Sequence, residues 1–205
     1  MSGEIKLKYY ESFYDNSSSN LTHKDSSIDY KLIALDDIKL NGDDDKDKIN
    51  NYLKTNIVFD YIILSNGKIH KITPPNYRGN ACKFDVYSQR LIKELPKLCP
   101  ILTKYSKDLL PDQAIISIAC ESTNNGRPTF EQEASLKNLI AYLMNRYSIT
   151  PSKLLTRSMI PGREKKKQEL GHFYYKTNIS DLIMLASYSL RMSKMMDLVP
   201  EVMQS

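Results

Sequence analysis

Hydrophobic and polar positions alternate along the chain in a way that predicts strands interspersed with helices. Short apolar stretches typical of buried strands occur at 30–35, 58–64 and 114–120. The second stretch ends in the turn sequence Ser-Asn-Gly and the pattern resumes at 68–72, which indicates a β-hairpin. Strands that alternate with helical segments predict an α/β domain with a mixed central β-sheet flanked by helices.

Four segments show helical spacing, namely 46–54, 86–98, 129–147 and 180 to about 197. The third has the clearest start, because Thr129 and Gln132 match a capping box in which each side chain satisfies a free backbone N–H group of the other. Its apolar positions recur at i, i+3, i+4 and i+7 and form one face: Leu136, Leu139, Ile140, Leu143 and Tyr147.

Composition divides the chain into a central domain and two extensions. Its 205 residues suit one core of ordinary size. Residues 15–28 are polar and rich in Ser and Asn, which predicts a flexible N-terminal arm at 1–29. The core domain is assigned to 30–178, and a C-terminal helical extension to 179–205.

Charge and hydropathy exclude several classes of protein. The net charge is +5, but the basic residues are spread along the chain apart from the run at 163–167, which is typical of a solvated loop. No motif for nucleic acid occurs, so a nucleic-acid partner is not expected. The chain shows neither the order of a secretory signal nor the roughly 20 apolar residues that a membrane helix needs, so we expect no membrane partner and a location in the cytoplasm or a virion.

Cysteine and acidic residues supply no simple site. Cys82, Cys99 and Cys120 are odd in number and widely spaced, so they predict neither a disulfide framework nor a zinc site, and Cys120 is expected to be a buried thiol. The acidic segment 43–47 lacks the Gly and terminal Glu of an EF-hand loop, and is interpreted as a solvated turn that begins a helix.

Three stretches carry a resemblance to a known family. Residues 59–69 read FDYIILSNGKI, residues 129–149 begin with TFEQ and end with YSI, and residues 154–171 contain MIPGR and then ELG. In order and spacing they resemble the hairpin, the T-x-x-Q helix and the I-x-P-G-R segment of the zinc-dependent N-acetylmuramoyl-L-alanine amidases, the family of phage lysis amidases and animal peptidoglycan-recognition proteins. The resemblance covers roughly 30–175.

The resemblance implies a zinc ion held by two His and a third ligand, commonly Asp or Cys, with a water in the fourth position. Such a metal lowers the pKa of its water toward ~7 and polarises the amide carbonyl. The implied ligand positions are one residue within 34–36, then Thr156 and Glu169, and none of them is His. Phe59 stands where active members often carry Tyr. These departures imply a degenerate member of the family without metal or other cofactor, that is, a pseudoenzyme rather than an enzyme.

Histidines elsewhere leave one alternative open. A rebuilt metal site would have to combine His70, His172 and Glu169. His70 is placed on the second strand of the hairpin, where the ordinary role is that of a partly exposed strand residue, and His172 follows the third motif. Packing or surface roles are favoured for both, because histidines from unrelated places rarely meet in tetrahedral geometry.

The first functional hypothesis is a catalytically inactive amidase-like domain that acts as a structural or protein-interaction component, for example in the tail or baseplate of a phage virion. Its expected partners are other protein subunits. The C-terminal helix is the candidate docking element, because methionines adapt to partner grooves. The methionines concerned are Met184, Met192, Met195 and Met196.

Two alternatives assign other roles to the same fold. One is a non-catalytic peptidoglycan-binding module, since aromatic faces and amide groups suit the recognition of glycans and peptides. Its candidate groove residues are Tyr77, Arg78, Asn80, Asn124 and Asn125. The other alternative is an amidase with a rearranged zinc site.

Overall fold

A six-stranded mixed sheet forms the centre of the protein. The computed structural model describes residues 7–15, 21–23, 30, 32–81, 114–124, 127–156 and 184. Its strands are β1 (Tyr10–Glu11), β2 (Leu21–His23), β3 (Leu32–Ile38), β4 (Tyr61–Ile63), β5 (Ile69–Lys71), β6 (Tyr77–Gly79), β7 (Ile115–Glu121) and β8 (Leu154–Thr156). Its helices are α1 (Asp45–Tyr52) and α2 (Phe130–Tyr147), and a short 3-10 helix at Pro151–Lys153 leads into β8.

Strand order in the main sheet is β1-β5-β4-β7-β3-β8, and β2 pairs with β6 in a separate antiparallel pair. Strands β4, β7, β3 and β8 are mutually parallel where they pair, whereas β5 returns antiparallel to β4 as the predicted hairpin. The longest pairing joins all seven residues of β3 and β7, from Leu32 opposite Ile115 to Ile38 opposite Glu121. Both strands are buried, as expected for parallel strands covered on two faces.

Helix α2 covers one face of the sheet. Its start is the predicted capping box, in which Thr129 Oγ1 accepts from the N–H of Gln132 at 3.1 Å and Gln132 Oε1 accepts from the N–H of Thr129 at 2.9 Å. The predicted apolar face is buried against β3, β4 and β7, with Tyr147 only partly covered. The helix ends at Ser148, which adopts the left-handed conformation with φ of 53°.

Helix α1 lies on the opposite face. The Asp44 side chain caps its start by accepting from the N–H of Asp47 at 2.8 Å, which confirms that the acidic segment begins a helix. Ile49 and Tyr52 are buried in a second apolar cluster with residues of the hairpin. Helices therefore flank both faces of the sheet, and the predicted α/β class with a mixed sheet is confirmed.

Two short strands occur within the segment that was expected to be an arm. β1 pairs with β5, and further hydrogen bonds from Ser12 N to Lys71 O (3.0 Å) and from Tyr14 N to Ile72 O (2.8 Å) extend this contact. β2 pairs with β6. The described parts of residues 1–29 thus add strands to the predicted domain.

The predicted helix at 86–98 lies outside the described residues, and Met184 is the described part of the predicted C-terminal helix, where it is helical and 62% exposed. Cys120 is buried, as predicted for a structural thiol. Within the described chain, no helix has the length and apolar character needed to cross a membrane.

Candidate functional site

The carboxyl ends of the parallel strands meet at one edge of the sheet, which is where α/β proteins commonly bind ligands. We call this the carboxyl edge and define it by the ends of β3, β7 and β8. Three buried acidic residues lie there: Asp36 and Asp37 on β3, and Glu121 at the end of β7. Buried carboxylates are costly unless they are paired, so their contacts indicate what each contributes.

Glu121 is fully engaged by neighbouring elements. Its Oε1 forms an ion pair with Lys48 Nζ of α1 at 2.8 Å, and its Oε2 accepts from the N–H of Ser65 at 2.7 Å. Its backbone oxygen accepts from Gln132 Nε2 at 2.9 Å. Glu121 therefore joins β7 to α1, to the hairpin and to the start of α2.

Asp37 is only partly satisfied. Its Oδ2 accepts from Ser122 Oγ at 2.9 Å, and its N–H donates to Asp36 Oδ1 at the same distance. Its Oδ1 is buried and has no hydrogen-bond partner among the described residues. A buried carboxylate oxygen without a donor is unusual, and it marks Asp37 as the group at this edge with unused capacity to accept a hydrogen bond or a proton.

The ligand positions implied by the resemblance are brought together in part. Leu35 is the register partner of Thr156 on the neighbouring strand, so positions 34–36 and 156 are adjacent at the carboxyl edge. Glu169 and His172 lie outside the described residues. Within those residues, no group of three His, Cys, Asp or Glu side chains is arranged to hold a metal ion. One orphaned carboxylate oxygen without imidazole is a poor fit for zinc.

Phe59 and His70 lie away from this edge. Phe59 lies just before β4, at the end of that strand opposite to the carboxyl edge. Its side chain is buried in the apolar cluster beneath α1. His70 is buried rather than partly exposed: Tyr10 stacks on its ring at 5.3 Å, and its Nδ1 lies 2.9 Å from Ser12 Oγ. Burial lowers the pKa of His70, which keeps the ring neutral at pH 7.

The predicted groove residues that the structure describes lie in different surroundings. Asn80 is a structural residue, since its side chain accepts from Val58 N at 2.8 Å and donates to Asn56 O at 2.7 Å. Tyr77 packs edge-on against His23. Arg78 lies beside Asp60 near the beginning of β4, whereas Asn124 is exposed beyond the end of β7, and Asn125 lies outside the described residues.

Sequence reasoning missed Asp37 and Glu121 at the carboxyl edge. A signal was present, because Asp36 and Asp37 interrupt the end of an apolar strand and Glu121 ends another. Charged residues that continue buried strands are seldom tolerated without a role or a partner. Their proximity depends on the parallel pairing of β3 with β7, over a separation of 84 residues between Asp37 and Glu121 along the chain.

The fold is similar to that of solved amidases and endolysins. N-acetylmuramoyl-L-alanine amidase LysC from Clostridium intestinale URNW matches 85% of this chain and 99% of its own, with 20% identity and a TM-score of 0.51. A mutant endolysin from Bacillus subtilis matches 88% and 99%, with 14% identity and a TM-score of 0.57. The catalytic domain of XlyA gives the same coverage and identity with a TM-score of 0.56. The chain matches no protein-family model and no curated protein.

These likenesses support an amidase-like fold and correct one prediction. The prediction that the chain is not an enzyme was wrong, because the similar structures are named as an amidase, an endolysin and a catalytic domain. That prediction depended on missing ligands at positions 34–36, Thr156 and Glu169. The side chains at these implied ligand positions are a weaker guide to activity than that prediction assumed, because one fold can arrange its catalytic groups in different ways.

Proposed function

We propose that this chain is an amidase domain directed at peptidoglycan, with its working groups at the carboxyl edge. Two observations support the proposal: the fold is similar to that of amidases, and buried acidic residues gather where the parallel strands end. The single observation that carries it is the orphaned Oδ1 of Asp37, an acceptor held in place for a donor that the described residues do not supply.

The proposed reaction is the hydrolysis of an amide bond. Water adds its hydroxyl to the carbonyl carbon, the C–N bond breaks, and the nitrogen leaves with a proton. A carboxylate can take the proton from the attacking water and return it to the leaving nitrogen. Asp37 is the candidate for this role, and Ser122 orients it through the hydrogen bond to Oδ2. In this proposal positions 34–36 and Thr156 are departures from the ligand pattern of the amidases, and the chain uses carboxylate chemistry at the same edge.

The test uses the full chain with purified peptidoglycan and a soluble muropeptide. Mass spectrometry would follow the release of peptides with a newly free L-alanine amine, in parallel samples with added zinc and with a chelator. We expect release by the wild type and a loss of at least about tenfold in Asp37→Asn, because removal of a general base costs about that much or more. Asp43→Asn, an exposed acidic residue before α1, is the matched control.

Each outcome of this test has a separate meaning. Release that needs zinc would show that groups outside the described residues complete a metal site. Wall retention in a co-sedimentation assay without release would support the binding module in place of the amidase. The absence of both retention and release would overturn a peptidoglycan-directed function.

A second candidate function is an interaction with other protein subunits, including those of a virion. Two exposed apolar side chains favour it, since Phe130 is 82% exposed and Met184 is 62% exposed. Isolated exposed apolar residues are common, so the proposal needs a direct test. Replacement of both residues by Ser should reduce self-association or subunit binding in analytical ultracentrifugation, and an unchanged sedimentation profile in the presence of candidate subunits would count against it.

A further inference from the structure

A pocket of about 220 Å³ lies at the opposite end of the sheet from Asp37. We call it the amino-edge pocket and define it by Lys71, Arg78, Arg146, Asp60 and the rings of Tyr30 and Tyr147, which line it together with several neutral residues. Asp60 immediately precedes β4 and bonds to Ser117 in the first half of β7, so this pocket is separate from the carboxyl edge.

Cationic side chains dominate the lining. Lys71, Arg78 and Arg146 face a single acidic residue, Asp60. Burial raises the pKa of Asp60 to about 6, so this carboxyl is largely ionised at pH 7 and the pocket retains a net positive charge. A concave surface with an excess of one sign of charge concentrates ligands of the opposite sign.

Asp60 pairs with Arg78 only at long range. Its two oxygens already accept from Ser117 N (2.8 Å), Ser117 Oγ (2.9 Å), Thr73 Oγ1 (3.1 Å) and Gly79 N (3.4 Å). Arg78 Nη1 is 4.0 Å from Asp60 Oδ1, which is too long for a hydrogen bond. The Asp60 carboxylate therefore stabilises the fold, and its negative charge is distributed over hydrogen bonds from several donors.

Arg78 is half-buried, and its guanidinium lacks a full set of hydrogen-bond partners among the described residues. Its Nη1 donates to the backbone oxygen of Tyr77, while its Nε is buried and has no hydrogen-bond partner in the described chain. Burial lowers the pKa of Arg78 to about 10, which reflects the cost of removing its charge from water. An anion in the pocket would offset that cost, because a buried charge is stable chiefly when it is paired.

The guanidinium is also fixed in place before any ligand arrives. Its carbon lies 4.1 Å from the centroid of the Tyr30 ring, and Arg146 lies 5.7 Å from the rings of Tyr142 and Tyr147. Stacking on an aromatic ring restricts a guanidinium to one plane, and arginine is the side chain suited to planar oxyanions. The arrangement is thus preorganised, which reduces the entropy lost on binding.

We propose that the amino-edge pocket binds a small oxyanion, a carboxylate or a phosphate, through Arg78, with Arg146 and Lys71 adding positive charge. The volume accommodates the anionic end of a small molecule rather than a polymer chain. This site is distinct from the proposed amidase site, because the two lie at opposite ends of β7 and share no residue.

The experiment is a titration of the full chain with sodium phosphate and, separately, sodium acetate, at constant ionic strength. Two-dimensional NMR would follow the backbone amides of residues 71–79. We expect saturable shifts confined to the amino-edge pocket, and binding weakened about tenfold or more in Arg78→Met and Arg146→Met, as for the loss of one charge-assisted hydrogen bond. Arg146 is an exposed residue, so its variant reports even if Arg78→Met fails to fold.

Arg127→Met, at an exposed arginine beyond the end of β7, is the matched control and should bind as the wild type does. Saturation by only one of the two anions would identify the kind of oxyanion. The proposal is overturned if neither anion gives saturable shifts, or if the control loses as much affinity as the pocket variants. Because the measurement is of anion binding, its failure would leave the proposed amidase function intact.

Discussion

Asp60 and Ser117 join two parallel strands through both their side chains and their backbones. The Asp60 carboxylate accepts from the N–H of Ser117 at 2.8 Å and from its hydroxyl at 2.9 Å, and the N–H of Asp60 lies 3.0 Å from Ser117 O. This places an ionisable group inside the sheet, between β4 and β7. Its protonation is consequently coupled to the stability of the fold.

The stability of the protein should fall as pH rises from about 4 to about 6 through Asp60. Burial raises the pKa of this carboxyl to about 6, above the ordinary value of about 3.9 in the unfolded chain. In this window the folded state holds a proton that the unfolded state has lost, so raising the pH favours unfolding, by roughly 3 kcal/mol at most. Well above pH 6 both states are ionised and this contribution no longer changes.

Urea unfolding from pH 4 to pH 7 would measure this dependence, and Asp60→Asn isolates it. The variant is expected to be less stable at every pH, because an amide cannot accept from all the donors that surround Asp60. The difference in stability between the two proteins should shrink as pH rises through the window. A difference that stays constant from pH 4 to pH 7 would show that Asp60 has an ordinary pKa.

Lys48 should matter far more to stability than Lys68, although both form short ion pairs. Lys48 pairs with the buried Glu121 at 2.8 Å, whereas Lys68 pairs with the partly exposed Asp45 at 2.6 Å. Lys48→Met leaves a buried carboxylate without its cation and should cost roughly 3 kcal/mol. Lys68→Met removes an exposed pair that solvent screens, so it should change the stability little. Chemical denaturation compares the two, and equal losses would contradict the assigned burial of Glu121.

Replacement of Gln132 at the start of α2 should lower the stability of the protein more than replacement of Thr129. Thr129→Ala removes an N-cap and the hydrogen bond that Thr129 Oγ1 donates to Ser65 O at 2.6 Å, and should cost about 1 kcal/mol. Gln132→Ala also removes the donor to the backbone oxygens of Ile63 (3.3 Å) and Glu121 (2.9 Å), so it should cost about 2 kcal/mol or more. Phe130→Ala, at an exposed residue of the same turn, is the control and should change the melting temperature little. A larger effect at Thr129 would reverse this order.

Gly79 should not tolerate any side chain. A Cβ atom there would lie 1.9 Å from the carbonyl oxygen of Val58, and that oxygen belongs to the backbone. Gly79→Ala should therefore displace β6 and lower the melting temperature by several degrees. It should also weaken anion binding at the adjacent Arg78. A variant with wild-type stability would show that β6 and Val58 are farther apart than described.

Local patterns in the sequence predicted the elements whose signals are local. Three features follow from residues close together in the sequence, namely the hairpin around Gly67, the capping box of Thr129 and the apolar face of α2. β1 and β2 were not predicted, because strands of two and three residues have no measurable periodicity and form only by pairing with distant partners.

The site was harder to predict than the fold. Asp37 and Glu121 become neighbours only through the parallel register of β3 and β7, and Arg78 reaches Asp60 only through the position of β6. The resemblance drew attention to Thr156 and Glu169, and so to the histidine ligands that are missing at the implied positions. The carboxylates that it does carry at the same edge were therefore overlooked.

The Gln132 side chain connects the start of α2 with the ends of β4 and β7. One end of its amide closes the cap of α2, and the other holds the carbonyl groups that end β4 and β7. A force applied at the carboxyl edge would be transmitted through this amide to α2. The carboxyl edge would then resist deformation as one body with α2, and its buried carboxylates would keep their spacing.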